Sequence, residues 1–228
     1  DSMTWREVFI TTYLEKDIPA LGPRIPATTL RRLWTMLAHH QGELLDQAKL
    51  ASALAISGQT VSRYIDLLCD LMLVRRLPAW HGNVGKRLIR SPKVYVRDSG
   101  LVHALLGLSN LDAVLGHPVA GSSWEGFVVE QLVNAAPNAQ ASFYRTSNGA
   151  EVDLVLTFRN QQTWVIEIKR SSAPTVSRGF HQAAVDLGAA RKLLVAPVEQ
   201  TYPMKEHIEV VDLLTAVRWV TEQEQNNG

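Results

Sequence analysis

The segment 165–169 reads Val-Ile-Glu-Ile-Lys and places two charged side chains inside an otherwise apolar strand pattern. Side chains alternate along a β-strand, so Glu167 and Lys169 project from the same face. A buried carboxylate is costly unless it is ion-paired or bound to a metal, and packing alone gives no reason for either charge. Asp153 lies in a second strand-like run, residues 151–158. If the two strands are neighbours, Asp153, Glu167 and Lys169 converge on one patch of a sheet.

This patch has two interpretations. In the first, the strand lies at an exposed sheet edge, Asp153 is solvated, and the Glu167–Lys169 ion pair contributes less than about 1 kcal/mol. In the second, the two carboxylates are buried and, with a carbonyl oxygen, hold Mg²⁺, a hard cation that prefers oxygen ligands. The metal would then lower the pKa of a bound water, while Lys169 would orient that water and stabilise the transition state of phosphodiester cleavage.

The charge distribution separates the two halves of the chain, although the net charge is only +1. Residues 1–110 contain 14 Lys and Arg against 9 Asp and Glu, whereas residues 111–228 contain 9 against 13. A basic half could face nucleic acid, and an acidic half could hold a metal. With 228 residues, the chain is long enough for one large domain or two small ones, each with its own core.

Composition also disfavours several classes of protein. No run of about 18 apolar residues predicts a membrane span, and no basic leader precedes an apolar stretch at the N-terminus. The single Cys69 cannot form an internal disulfide, which favours a reducing, cytoplasmic location. The seven histidines show no metal-ligand spacing, so a zinc site is not expected.

Residues 28–106 are predicted to form a winged helix. Two short helices, 47–54 and 59–68, flank a tight connection in which Ser57 is placed to cap the second helix, as is typical of a helix-turn-helix. The second helix presents side chains able to reach phosphates or base edges: Gln59, Thr60, Ser62 and Arg63. Strand-like runs follow at 73–77 and 93–96. Their connecting loop carries three cations, Lys86, Arg87 and Arg90. Contact with DNA and docking on another protein domain both remain open for this ribbon.

The rest of the chain is predicted to form a second domain. Residues 107–120 mix Gly, Asn, Pro and His and are predicted to be a linker, after which the domain covers residues 121–228. It is expected to contain a helix, three strands, a helix and a strand, at 123–135, 141–145, 151–158, 163–168, 176–187 and 192–196. The predicted fold class is therefore α+β or α/β.

The α-β-β-β-α-β order, with Asp153 followed by Glu167-Ile168-Lys169, resembles the PD-(D/E)XK phosphodiesterase superfamily, which has a restriction-endonuclease-like fold. The resemblance implies a catalytic set of Glu125, Asp153, Glu167 and Lys169, in which the three carboxylates bind Mg²⁺ or Mn²⁺. The literal Pro-Asp pair of the family name is replaced here, since Val152 precedes Asp153.

The third carboxylate is assigned by the same resemblance. The run Gly121-Ser122-Ser123-Trp124-Glu125 is similar to the family's first helix, which favours Glu125 over the alternative Glu130. Gln182, on the following helix, matches a glutamine of some members loosely. Glu151 is expected to be solvated or to lie just behind the ligands.

The whole chain also resembles the C-terminal region of a widespread prokaryotic family in which an AAA-type ATPase domain precedes a domain of unknown function. The motifs that carry this resemblance are Tyr13-Leu14-Glu15-Lys16-Asp17, Gly85-Lys86-Arg87, Ser91-Pro92-Lys93-Val94-Tyr95, Asp98-Ser99-Gly100-Leu101, Trp124-Glu125, Gly149-Ala150-Glu151-Val152-Asp153 and Glu167-Ile168-Lys169. Residues 1–27, which include a predicted chain break at Gly22-Pro23, are interpreted as a helical remnant of the ATPase region. The chain is thus expected to be a fragment without its ATPase domain.

The resulting hypothesis is a DNA-binding protein with divalent-metal-dependent phosphodiester cleavage, controlled by an ATPase domain outside this chain. The alternative is a non-catalytic DNA- or protein-binding regulatory module of an AAA-type ATPase. The expected partners are DNA and that ATPase domain, with no membrane. The sequence leaves open whether the protein forms an oligomer.

Overall fold

The computed structural model describes three stretches of the chain, residues 2–20, 25–82 and 85–226. The predicted break at Gly22-Pro23 lies outside these described residues. The chain divides into two compact units, the first made of residues 1–76 and 94–126 and the second of residues 77–93 and 127–228. Each unit has its own hydrophobic core, and together they give a mixed α+β architecture.

The first unit is mainly helical. Its helices are α1 (Ser2–Thr12), a π-helical segment (Tyr13–Asp17), α2 (Ile18–Ala20), α3 (Ala27–His39), α4 (Gln47–Leu54), α5 (Gly58–Asp70), α6 (Ser99–Leu105) and α7 (Leu111–Leu115). Amphipathic helices bury one apolar face each. The largest fully buried side chain of this unit is Trp34 on α3, which packs in a cluster with Ile10, Leu37 and Ile65.

Both helices of the predicted helix-turn-helix are present as α4 and α5. Ser57 caps α5 as expected, because its side-chain oxygen accepts a 3.1 Å hydrogen bond from the backbone N–H of Thr60. Val61, Ile65 and Leu68 form the buried face of α5. The polar residues between them are therefore turned away from the core of this unit.

The predicted ribbon is present as a two-stranded sheet of β1 (Val74–Leu77) and β2 (Lys93–Val96). The division of the chain differs from the predicted boundaries, and residues 1–27 and 121–126 both belong to the first unit. Residues 107–120, expected to be a linker, contain α7 and belong to the first unit. Residues 77–93, expected to form the tip of a wing, belong to the second unit.

The second unit is built on a six-stranded mixed sheet in the order β3-β4-β5-β6-β8-β7. The strands are β3 (Gln140–Arg145), β4 (Glu151–Thr157), β5 (Thr163–Ile168), β6 (Arg191–Val195), β7 (Tyr202–Met204) and β8 (Ile208–Val211). Strands β3, β4 and β5 are antiparallel neighbours, β5, β6 and β8 run parallel, and β7 pairs antiparallel with β8. Strand β5 thus lies between two others, so the exposed-edge interpretation of Glu167 and Lys169 is wrong.

Three helices belong wholly or partly to this unit: α8 (Ala120–Ala135), which begins in the first unit, α9 (Arg178–Asp186) and α10 (Leu213–Gln225). The order α8-β3-β4-β5-α9-β6 agrees with the predicted elements. Strands β7 and β8 and helix α10 were not predicted. Phe180 on α9 is fully buried and packs in one cluster with Val155 and Val165 of the sheet.

The loop between β1 and β2 covers the outer edge of β3. Trp80 N–H donates to the carbonyl of Phe143 at 2.7 Å, and Ile89 N–H donates to the carbonyl of Arg145 at 2.9 Å. The Arg87 carbonyl accepts from Ser147 N–H at 3.0 Å. These bonds satisfy backbone groups that an open sheet edge would expose. They explain why the loop belongs to the second unit rather than extending from β1 and β2.

Candidate active site

The pairing of β4 with β5 brings the predicted carboxylates together in the second unit. Leu154 lies opposite Ile166 in the antiparallel register. Just beyond this pair, Oδ2 of Asp153 accepts a 2.9 Å hydrogen bond from the backbone N–H of Ile168. Asp153 is 9% exposed and Glu167 is 5% exposed, so both carboxylates are buried.

Lys169 follows directly after β5 and pairs with the neighbouring glutamate. Its ammonium nitrogen lies 2.6 Å from Oε1 of Glu167. The backbone N–H of Lys169 donates to the carbonyl of Val195 at 2.9 Å, which fixes the end of the strand against β6. The Lys169 side chain is 39% exposed, so its cation is in contact with solvent while its partner is buried.

The two carboxylates are electrostatically coupled. Burial raises the pKa of Glu167, the negative charge of Asp153 raises it further, and the hydrogen bond and charge of Lys169 act in the opposite direction. The net effect brings the pKa of Glu167 to about 7. Two like charges that must share a site are an arrangement that attracts a cation.

Lys93 is a member of the cluster that sequence reasoning missed. It is 3% exposed, and its ammonium nitrogen lies 3.1 Å from Oε1 of Glu151 and 3.5 Å from Oδ1 of Asp153. The same ammonium lies 5.6 Å from the ring centroid of Phe143. Its only local sequence signal is its position at the start of the apolar strand-like run 93–96.

Glu151 is half-buried and lies behind Asp153, since the Lys93 ammonium contacts both carboxylates. It bridges Lys93 and Arg145, whose Nε lies 3.5 Å from Oε2 of Glu151. Arg145 and Glu151 are also opposite each other in the β3–β4 register. The cluster in this unit thus comprises Lys93, Glu151, Asp153, Glu167 and Lys169.

Three further residues were predicted for the site: Glu125, Glu130 and Gln182. Glu125 belongs to the first unit, where its Oε1 accepts a 2.6 Å hydrogen bond from the Tyr95 hydroxyl. Glu130 is buried on α8. Gln182 donates to Asp186 at 2.9 Å. Among the described residues, no group of three or more His, Cys, Asp and Glu side chains is arranged to hold a metal ion.

The donor chemistry of the cluster nevertheless suits a hard divalent cation. Asp153 and Glu167 supply carboxylate oxygens from adjacent strands, and Mg²⁺ is commonly held by one or two carboxylates with water completing its shell. Oδ2 of Asp153 is oriented by the Ile168 N–H, as is usual for ligands supported by a second layer of hydrogen bonds.

The predicted nucleic-acid contacts fall into two groups. On α5, Gln59 and Arg63 are exposed, whereas Thr60 and Ser62 are half-buried. On the loop of the second unit, Arg87 and Arg90 are exposed. They line a groove of about 790 Å³ together with His81, Gly82, Lys86, Leu88, Ile89 and Ser91.

Lys86 differs from the other predicted phosphate contacts because it already has an anionic partner. Its ammonium lies 2.7 and 2.6 Å from the two carboxylate oxygens of Asp186. Asp186 also accepts hydrogen bonds from the Tyr144 hydroxyl and the Gln182 amide. Burial acts to raise the pKa of Asp186, but the hydrogen bond from Lys86 and those from Tyr144 and Gln182 lower it below its usual value.

The fold and the cluster define a class of protein: a helical unit joined to an α/β unit that carries a buried carboxylate–lysine cluster on adjacent strands. The chain matches two family models in succession. Residues 1–112 match "Domain of unknown function (DUF8612)", and residues 120–215 match "Domain of unknown function (DUF4143)".

Two curated relatives match most of the chain. The "Uncharacterized protein Rv2008c" of Mycobacterium tuberculosis and the "Uncharacterized protein Mb2031c" of Mycobacterium bovis are each 45% identical to it over 211 residues. The match covers 92% of this chain and 48% of each relative. The chain thus spans about half the length of the curated relatives it matches.

One solved structure also aligns with the chain, the "Refined half-complex from tetradecameric assembly of Thermococcus gammatolerans McrB AAA+ hexamers with bound McrC". The alignment covers 86% of this chain and 76% of that chain, with 12% identity and a TM-score of 0.33. Similarity at that level supports no conclusion about this fold. Within the part of the chain that the structure describes, no helix combines the length and apolar character needed to cross a membrane.

Proposed function

We propose that the second unit is a divalent-metal-dependent phosphodiesterase that acts on DNA. The observation that carries this proposal is the pair of buried carboxylates, Asp153 and Glu167, on adjacent interior strands beside Lys169. A sheet interior offers no packing reason for these groups, so a chemical task is the better explanation. The element order α8-β3-β4-β5-α9-β6 supports a PD-(D/E)XK-like fold for this unit.

Asp153 and Glu167 would hold Mg²⁺ or Mn²⁺ in this proposal. When bound, the metal lowers the pKa of a coordinated water and offsets charge that develops on the phosphate. The Ile168 N–H keeps Asp153 in one orientation, which limits the reorganisation that ligand binding requires. The Lys169 side chain is 39% exposed, so its ammonium would be able to interact with the phosphate oxygens of a substrate.

The DNA backbone would be bound next to the cluster by the exposed cations of the loop. Arg87 and Arg90 lie in a segment hydrogen-bonded to β3 at Arg145, and Arg145 pairs with Glu151 of the cluster. The loop cations and the carboxylates thus belong to one connected set of residues in one unit. Lys86 contributes less, because Asp186 already neutralises it.

The first unit is proposed to be a winged helix that contributes a second DNA contact. Helices α4 and α5 with β1 and β2 supply the elements of that fold, and α5 exposes Gln59 and Arg63. Thr60 and Ser62 are the further predicted contacts of the same helix.

We also propose that an AAA-type ATPase domain regulates the chain. The motif resemblance supports this partner, and the greater length of the curated relatives leaves room for such a domain.

Nicking of supercoiled plasmid in Mg²⁺ or Mn²⁺ tests the catalytic proposal. The wild-type chain is expected to nick the plasmid, and both Asp153→Asn and Lys169→Met are expected to abolish nicking. Glu209→Gln and Lys192→Met are matched controls, since they alter a carboxylate and a lysine of β8 and β6 outside the cluster. Nicking that survives in Asp153→Asn, or that requires no metal, would contradict the proposed site.

A non-catalytic regulatory module is the second candidate, and the contacts of Lys93 and Lys169 favour it. Two ammonium groups already lie against the three carboxylates of the cluster. Such a cluster can stabilise a fold without reacting, because fold alone does not establish activity. A wild-type chain that binds DNA with strong salt dependence, but nicks it in neither metal, would favour this candidate.

A further inference from the structure

Lys93 is a buried cation whose role is not explained by the proposed reaction. Its side chain is 4% exposed, and its ammonium lies between Glu151 and Asp153. A lysine taken out of water needs anionic partners, and these two carboxylates provide them. The Phe143 ring adds a face that favours a cation.

The Lys93 ammonium faces one of the two carboxylate oxygens of Asp153. Oδ2 accepts the hydrogen bond from Ile168, whereas Oδ1 faces the Lys93 ammonium at 3.5 Å. A metal ion bound through Oδ1, the oxygen without the backbone hydrogen bond, would need the position that the Lys93 ammonium occupies. Two cations within a few ångströms repel each other strongly in a site with little water. Lys93 and a divalent ion are therefore alternatives at Oδ1.

We propose that Lys93 is a built-in competitor for the metal, so that a divalent ion binds Asp153 only by displacing the Lys93 ammonium. The inference rests on the proposed metal site and adds a determinant of its affinity. In the metal-free state, Lys93 takes the place of the metal charge and keeps the cluster intact. Metal occupancy then depends on the metal concentration and on any ligand that brings further negative charge to the cluster.

Calorimetric titration of Mn²⁺ tests this inference without any activity measurement. Lys93→Met removes the ammonium and keeps most of the apolar stem, so it is expected to bind Mn²⁺ about tenfold or more tightly than the wild type. Lys86→Met is the matched control, because it removes an ammonium beside Asp186 in the same unit. Its Mn²⁺ affinity is expected to stay within about twofold of the wild type.

A second pair of variants covers the case in which Lys93→Met does not fold. Glu151→Gln removes an anionic partner of Lys93, so the double variant Lys93→Met/Glu151→Gln keeps the net charge of the wild type. It is expected to bind Mn²⁺ more tightly than Glu151→Gln alone. Adding Asp153→Asn to the double variant is expected to remove that gain, which places the metal at Asp153.

The outcomes separate this inference from the proposed function. If removing the Lys93 ammonium leaves Mn²⁺ affinity unchanged or weakens it, Lys93 is not a competitor, although the metal site stands. If neither the wild type nor the Lys93 variants bind Mn²⁺ at millimolar concentration, the metal site and the inference both fail. Tight binding in Lys93→Met with no plasmid nicking in any variant would support the inference and count against catalysis.

Discussion

The backbone N–H of Ile168 donates a 2.9 Å hydrogen bond to Oδ2 of Asp153 across the β4–β5 pair. A main-chain group of one interior strand therefore positions a carboxylate on its neighbour. The other oxygen of Asp153 faces Lys93 at 3.5 Å. One oxygen of this carboxylate is held by the backbone, and the other faces a buried ammonium group.

Removing the Asp153 carboxylate is expected to destabilise the fold strongly. Asp153→Ala leaves the Ile168 N–H without its acceptor and deprives the buried Lys93 of one anionic partner, at a cost of about 3–5 kcal/mol. Asp153→Asn keeps an acceptor for Ile168 and should cost about 1–2 kcal/mol less than the alanine variant. Urea unfolding at neutral pH measures both. Equal losses in the two variants would show that the hydrogen bond contributes little.

Asp186 is expected to anchor the basic loop to the second unit. Asp186→Ala removes the acceptor of Lys86, Tyr144 and Gln182 together and should cost about 2–3 kcal/mol. Lys86→Met should cost less than about 1 kcal/mol, since the Lys86 side chain is 35% exposed and solvent screens the pair. Amide hydrogen exchange at Ile89 should accelerate in both variants, because its bond to β3 depends on the anchored loop. Unchanged exchange in Asp186→Ala would contradict this anchoring role.

The pKa of Glu167 predicts a specific pH dependence of stability in metal-free protein. Burial, followed by the charge of Asp153, raises this pKa from 4.5 to about 7, so the folded state binds the proton more tightly than the unfolded chain. The protonated Glu167 carboxyl therefore contributes its full stabilisation below the pKa of the unfolded chain. This contribution is lost as the pH rises through the pKa of the folded state. Relative to Glu167→Gln, the wild type should lose about 2–3 kcal/mol of unfolding free energy between about pH 5 and pH 8.

The comparison with Glu167→Gln separates the effect of this carboxyl from that of carboxyl groups whose pKa is shifted in the opposite direction. Asp186 and Asp212 have lowered pKa values in spite of burial, because hydrogen bonds from their neighbours stabilise the charged forms, and their contributions are lost as pH falls. Both residues are present in the two proteins, so their effects cancel in the difference. Urea unfolding in a chelating buffer gives that difference. A value that does not change with pH would place the Glu167 pKa near its ordinary value.

DNA affinity should depend on the exposed loop cations through their charge. Arg87→Gln/Arg90→Gln is expected to weaken binding to duplex DNA and to reduce the slope of log affinity against log salt by about 2, one unit for each lost phosphate contact. Arg63→Gln tests the α5 surface in the same way, with an expected change of about 1. Fluorescence anisotropy across a salt series measures all slopes. An unchanged slope in the loop variant would remove these arginines from the DNA contact.

The parts of the fold that sequence predicted are those set by local signals. Alternation along β4 and β5 placed Asp153 and Glu167 on strands that prove to be neighbours, and Ser57 marked the start of α5 through its capping bond. These features depend on residues a few positions apart. The same reasoning gave the order of elements from α8 to β6.

The remaining features depend on contacts distant in sequence. Lys93 begins β2 in a basic segment, and nothing nearby shows that it pairs with Asp153 in β4. The loop before it resembles a free ribbon, yet its backbone bonds the edge of β3. Strand β7 was not predicted because it has only three residues and contains Pro203. Glu125 as a third ligand stays a prediction.

Two glycines of α8 are expected to respond in opposite ways to alanine. A Cβ at Gly126 would overlap the side-chain amide of Gln41, which holds both the N–H and the carbonyl of Val96, so Gly126→Ala should cost about 1–3 kcal/mol. A Cβ at Gly121 meets no atom within 4 Å, so Gly121→Ala should be neutral or stabilise the helix by up to about 1 kcal/mol. Thermal and urea unfolding of both variants provide the measurement. Equal effects would mean that Gln41 moves aside without losing its bonds to Val96.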